Sequence, residues 1–190
     1  MTSGLASPDP TYCRRSGPTS PLALPGGGSV VLRPVEPTDQ PFLLKLYGIS
    51  RETELAQVEW AEGQKELFLS WQFELQLREY ESRFPGSRHD VIVVDGSDAG
   101  RMWVGADDAQ VRLLDIAILP EFQNRGVGTV LLKQLIEEVR PSTKRLRHMV
   151  FVYNDDAHRF YERLGFVVIE DLGGYKHMEW REKPSTDYAE

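Results

Sequence analysis

An α/β fold on a single mixed sheet is predicted by three features of this sequence. Short apolar runs suited to strands are interspersed with longer stretches of helical period. Three of those runs, within "DVIVVDGSDAGRMWVGADDAQVRLLDIAIL", are separated by turn-forming clusters and read as an antiparallel meander. The third run leads through the glycine-punctuated "PEFQNRGVG" (120–128) into a helix. A chain of 190 residues that is 41% hydrophobic can build one domain with a substantial core.

Taken in order, residues 1–28 are rich in Pro, Gly and Ser without apolar period, and are expected to form a disordered tail. "SVVLRPV" (29–35) reads as a strand with Pro34 near its end. Residues 37–50 read as a helix capped by Thr38 or Asp39. A longer helix is expected over 63–84, its buried face formed by Leu67, Trp71 and Leu75 with Phe68 beside them, and Pro85-Gly86 ends it. After the meander comes a helix over 126–139. Val127, Leu131, Leu135 and Val139, flanked by Leu132 and Ile136, give it a wide apolar stripe. Residues 148–153 form another strand, 155–165 a helix stopped by Gly165, and a hairpin closes the domain at 180. Residues 181–190 are expected to be a flexible tail.

Composition restricts the function. A net charge of −7 argues against a general nucleic-acid-binding surface and is compatible with a cationic small substrate. Cys13 is the only cysteine, so neither an intrachain disulfide nor a cysteine-based zinc site can form. The four histidines lack metal-ligand spacing, and no metal is expected. Arg14 and Arg15 are not followed by the apolar stretch of a secretory signal. No apolar run approaches the ~20 residues that span a bilayer. The expectation is a cytoplasmic protein with no membrane or nucleic-acid partner.

The glycine junction carries the chemistry. The first-turn amides of a helix have no internal partners and hold the positive end of its dipole. Glycines at 126 and 128 let a phosphate approach without meeting a Cβ, and Gln123 and Arg125 add donors. The same glycines serve equally well as a tight turn, and the letters fit neither GxGxxG nor GxxxxGK[ST]. Downstream, "NDDAHRFYERLGF" places Asn154 as a helix cap and puts Tyr161 on the face of Ala157 and Leu164.

Together "AILPEFQNRGVGTVLL" and "NDDAHRFYERLGF" resemble the GNAT superfamily of acetyl-CoA-dependent N-acetyltransferases. The first is similar to V-x-P-x-x-[QR]-x-x-G-x-[GA], with Ile118 at the valine position. The second matches N-x-x-A-x-x-x-Y-x-x-x-G-F at all fixed positions. The resemblance covers roughly residues 29–180. It implies a single domain with a mostly antiparallel sheet, flanked by helices, whose central strands splay into a cleft.

The resemblance also implies roles for individual residues. Main-chain groups of Ile116, Ala117 and Ile118 would pair with the pantetheine arm of acetyl-CoA. The turn Asn124, Arg125, Gly126, Val127, Gly128 and Thr129, with Gln123, would hold the pyrophosphate. Asn154 would contact pantetheine, and Tyr161 would protonate the departing thiolate. The acceptor would be a primary amine of a small molecule or peptide, and a homodimer is compatible. The alternative is an acyl-CoA sensor without turnover.

Many relatives carry a general-base Glu on the strand before Asn154, whereas "MVFVYN" has no carboxylate. Asp115 is the candidate base, or else a structural charge-pair residue. Glu79 and Tyr80 are further candidates, and Trp60 is the best candidate for an aromatic acceptor pocket.

Overall fold

The computed structural model describes residues 12–56 and 58–182. Eight strands form one sheet in the order β1-β2-β3-β4-β5-β6-β8-β7. They are β1 (Leu22–Ala23), β2 (Ser29–Pro34), β3 (Arg88–Val94), β4 (Ser97–Ala106), β5 (Gln110–Ile118), β6 (Arg145–Phe151), β7 (Phe166–Asp171) and β8 (Tyr175–Trp180). Every neighbouring pair is antiparallel except β5–β6. The helices are α1 (Gln40–Ser50), the short α2 (Glu52–Leu55), α3 (Gln64–Arg83), α4 (Val127–Val139) and α5 (Asp155–Arg163). The expected element order holds, with β1 and α2 added.

The stripe predicted for α4 is buried along its whole length and packs, with Tyr161 of α5, on one face of the sheet. α1 and α3 cover the opposite face through Leu43, Tyr47 and Phe73. The face predicted for α3 is the wrong one. Leu67, Trp71 and Leu75 are 75%, 58% and 46% exposed, whereas Phe73 is buried and Leu69 and Leu77 pack with it. Two apolar rows run along this helix, two residues or about 200° apart. The row holding Phe73 meets Tyr47 of α1, their ring centroids 5.5 Å apart.

The expected N-terminal tail also needs correction over its described part. Residues 12–28 follow the open edge of β2: Thr19 N–H donates to Leu32 O, and Leu22 and Ala23 pair with Val30 and Ser29. Tyr12 and Leu24 are buried in the main core. A free sheet edge supplies backbone partners that composition does not reveal, and two apolar anchors suffice to hold the segment there. Residues 1–11, and 183–190 of the predicted C-terminal tail, lie outside the described residues.

Two irregularities shape the centre. The β4–β5 register steps from Val104↔Leu113 to Trp103↔Asp115, leaving Leu114 as a bulge. The parallel β5–β6 pairing runs only from Gln110↔Arg145 to Leu113↔His148. Beyond that point β5 continues to Ile118 and β6 to Phe151 without pairing to each other, and the sheet splits.

Candidate active site

The split opens a cleft of about 1400 Å³, walled by β5 from Arg112 to Ile118, by β6 from His148 to Phe151, and by parts of α1, α3 and α5. Asp115, Ile116, Ala117, Ile118, Gln123, Asn154, Tyr161, Glu79 and Tyr80 all line it. Trp60 does not. Its indole N–H donates to Leu55 O at 3.0 Å and its ring packs on Phe68, on the outer side of α3.

The bulge sets which way β5 presents its side chains. Val111 and Leu113 belong to the α4-side core, and Ile116 and Ile118 pack against it as well. Simple alternation would place Asp115 with Leu113. The extra residue at Leu114 reverses the parity, so Asp115 points to the α3 side and meets Arg101. Arg101 is 1% exposed, donates through Nε to Asp115 Oδ2 and through Nη2 to Gln76, and lies over the rings of Tyr47 and Phe73. Asp115 is thereby bound into a charge pair, the structural alternative raised for it above.

Tyr80 donates to the bulged Leu114 carbonyl at 3.1 Å, and burial pushes its phenol up to about 12. Glu79 pairs with Arg83 at 3.2 Å on the exposed side of α3.

At the donor end, Gly126 is the N-cap of α4, with φ 84°. The first bond of the helix runs from Val130 N–H to Gly126 O, so the N–H groups of Val127, Gly128 and Thr129 have no helical acceptor. A Cβ on Gly128 would lie 3.3 Å from Phe160 and 3.6 Å from Ile118, which brings α4 close to β5 and α5. Val127 is buried and offers only its backbone. Asn124 takes a positive φ of 58° in the turn.

The side chains here are more committed than the sequence suggests. Gln123 Nε2 donates to Ile118 O at 2.8 Å, and Arg125 pairs with Asp95 at 3.1 Å, both partners largely exposed. Asn154 accepts from Ala157 N–H at 3.1 Å and so caps α5, as predicted, at the cleft edge.

Tyr161 is 4% exposed, and its hydroxyl has no hydrogen-bond partner among the described residues. Burial, helped by the negative charge of Asp115, drives its phenol far above the ordinary tyrosine value, so it stays protonated. Its ring lies 4.6 Å from His148, the residue that sequence reasoning missed. His148 ends the β5–β6 pairing and donates from Nδ1 to Leu113 O at 2.7 Å, leaving Nε2 as the basic nitrogen. Burial pushes its pKa down to about 4. The available signal was its place between Leu146 and Val150, alternate residues that both face the core.

A second imidazole with a lowered pKa is the partly buried His89, stacked on Trp103 at 3.8 Å and pushed down to about 3, mainly by loss of solvent. The unfolded chain therefore takes up protons that these two folded groups refuse. Their contribution to stability is complete above about pH 6.5 and is lost as the pH falls toward 4. Denaturant unfolding is expected to lose up to about 2.7 kcal/mol per pH unit in this window, equivalent to two protons. His89→Gln should roughly halve the slope. Constant stability between pH 7 and 5 would contradict the lowered pKa of both imidazoles.

The comparisons with known proteins agree with this geometry. The family model described as "Acetyltransferase (GNAT) domain" matches residues 85–168, from the end of α3 into β7. Over those residues, somewhat less than half of the chain, the sequence is similar to the GNAT acetyltransferase family. An uncharacterized N-acetyltransferase, ycf52 of Pyropia yezoensis, is 36% identical over 66 residues, 35% of this chain and 36% of that protein. An uncharacterized N-acetyltransferase of Bacillus subtilis, CgeE, is 27% identical over 71 residues, 37% of this chain and 27% of its own. The match thus spans only about a quarter to a third of these curated relatives.

Among solved structures, the PaiA N-acetyltransferase of Thermoplasma acidophilum in complex with coenzyme A has the same fold. Its TM-score is 0.61 at 18% identity, over 81% of this chain and 99% of that one. RimJ of Mycobacterium smegmatis, in complex with CoA-disulfide, aligns with a TM-score of 0.57 at 19% identity, over 85% and 84%. Among the described residues, no helix is long and apolar enough to cross a membrane, and no three His, Cys, Asp or Glu converge as a metal site.

Proposed function

We propose that this protein transfers an acetyl group from acetyl-CoA to a primary amine of a small molecule or peptide, by direct attack within a ternary complex. The observation that carries the reading is the unpaired edge of β5 beyond Leu113, which runs to the bare N-terminus of α4. The amides from Asn124 to Thr129 form the pyrophosphate cradle, with the helix dipole behind them. Arg125 exchanges its exposed partner Asp95 for phosphate. Gln123 instead fixes the end of β5 through Ile118 O.

The edge of Ile116 and Ala117 pairs with the pantetheine arm as an added strand, and its amides stabilise the developing oxyanion. Asn154 stands beside that arm. Tyr161, which is protonated and has no hydrogen-bond partner among the described residues, delivers a proton to the departing thiolate sulfur. The proton released by the amine passes to solvent through the open cleft, and His148, which stays neutral, borders the point where the strands part. Asp115, tied to Arg101, contributes field rather than proton transfer. Glu79 and Tyr80 belong to the acceptor wall.

An acyl-CoA sensor is the second reading, favoured by one observation: Asp115, the candidate base, is already bound to Arg101.

Gly126→Val tests the cradle. A β-branched residue at φ 84° is strained, and its Cβ would lie 2.9 Å from the ring of Pro25. The loop should shift and the coenzyme A dissociation constant should rise about 10-fold or more, in line with a left-handed penalty of 1–2 kcal/mol. Circular dichroism should be unchanged. Titration calorimetry giving wild-type affinity would remove the cradle.

A further inference from the structure

The acceptor side of the cleft contains a positive group that the proposed chemistry does not use. Parallel register sets Arg112 beside Arg147. Arg112 alternates with the core residues Val111 and Leu113, so it points to the α3 side, where Arg83 and Tyr80 are its strongest electrostatic neighbours. Arg147 is neutralised by Glu179 at 3.0 Å, and Arg83 by Glu79 at 3.2 Å. Arg112 is partly buried and lines the cleft, with no hydrogen bond or ion pair among the described residues.

A guanidinium removed from part of its water, beside two other guanidinium groups and with Asp107 acting on it only at a distance, is an unfavourable arrangement in a free protein. It contrasts with a chain whose net charge is −7. A fixed fork of donors facing open cleft volume is complementary to a carboxylate or other planar anion.

We propose that Arg112 binds an anionic group of the acceptor, so that the preferred substrates are amines that also carry a carboxylate or comparable anion, as amino acids do. The inference rests on the reading of the cleft as an acetyl-transfer site. The other source of an anion is coenzyme A itself. Arg112 and Ile118 are six positions apart on β5, about 20 Å at 3.3 Å per residue, and the phosphate cradle lies beyond Ile118. The donor phosphates are therefore assigned to α4 and the acceptor anion to Arg112.

The test compares amino acids with their own carboxamides (alanine, phenylalanine and glutamate against the matching α-amides) in the full chain and in Arg112→Gln and Arg112→Lys. Initial rates of thiol release from acetyl-CoA are read first. Titration calorimetry of the same compounds into coenzyme A-saturated protein gives the comparison independently of turnover. The acids should be preferred by about 10- to 100-fold in kcat/KM or in affinity, the value of a charge-assisted hydrogen bond. The α-amine of each amide is the less basic and so the more deprotonated at neutral pH, so intrinsic reactivity favours the amides and cannot produce a preference for the acids. Arg112→Gln should abolish the preference by weakening the acids alone, with Arg112→Lys recovering part of it, and coenzyme A affinity should stay within about twofold, well below a single charged contact.

Equal handling of acids and amides across the panel overturns the proposal. So does a loss of coenzyme A affinity in Arg112→Gln, which would assign the arginine to a donor phosphate. Failure of acetyl-CoA to bind the wild-type chain would instead remove the acetyl-transfer reading, a result the same calorimetry registers separately.

Discussion

Tyr161→Phe is expected to lower kcat by about 10²- to 10⁴-fold, the range for loss of a positioned general acid, while coenzyme A affinity changes little. The ring is held by His148, Phe160 and Phe166 at centroid distances of 4.6, 5.2 and 5.4 Å, all contacts that phenylalanine retains. The hydroxyl has no hydrogen-bond partner to lose among the described residues. The substitution should therefore leave thermal stability close to wild type and separate chemistry from packing. Burial keeps the phenol protonated at neutral pH, which fits the acid role proposed for it. Stopped-flow or steady-state thiol release gives the rate, and calorimetry gives the affinity. An unchanged kcat would take the acid role away from this residue.

Arg101→Met has the second large effect, on stability. Arg101 holds Asp115 and Gln76 from a fully buried position beneath Tyr47 and Phe73. Its Nη1 is buried with no hydrogen-bond partner among the described residues. Removing the cation strands a carboxylate that is 26% exposed, at a cost of about 3 kcal/mol, the low end for breaking a buried pair. For a chain of this size that lowers Tm by about 6–12 °C. Asp115→Asn in the Met background should restore part of the loss, because the stranded charge is the larger share of it. Calorimetric melting of the single and double variants decides the matter. If Arg101→Met melts like wild type, the pair is not a structural support of β5.

Much of this architecture was legible in the sequence because its signals are local. The α4 stripe, the glycine junction and the α5 motif each lie within about a dozen residues, and the structure brings Ile116 to Ile118, Gln123, Asn154 and Tyr161 to one cleft. What escaped depended on partners distant in the chain. The buried face of α3 was chosen by Tyr47 of α1, because its two apolar rows look equivalent in the sequence. The direction of Asp115 hinged on one bulged residue, Leu114, which no alternation rule anticipates. The packing of residues 12–28 depended on the free edge of β2. His148 became visible as a site residue only once its register with Leu113 placed it at the point where the sheet splits.

The central claim is that the cleft transfers acetyl groups as well as binding their carrier. Its most direct test is the initial rate of thiol release from acetyl-CoA across a panel of primary amines, at neutral pH, with wild type and Tyr161→Phe side by side. The account predicts saturable, amine-dependent release by wild type and its near-complete loss in the variant. Tight acetyl-CoA binding with no amine-dependent release from any member of the panel would contradict it and leave the sensor reading in its place.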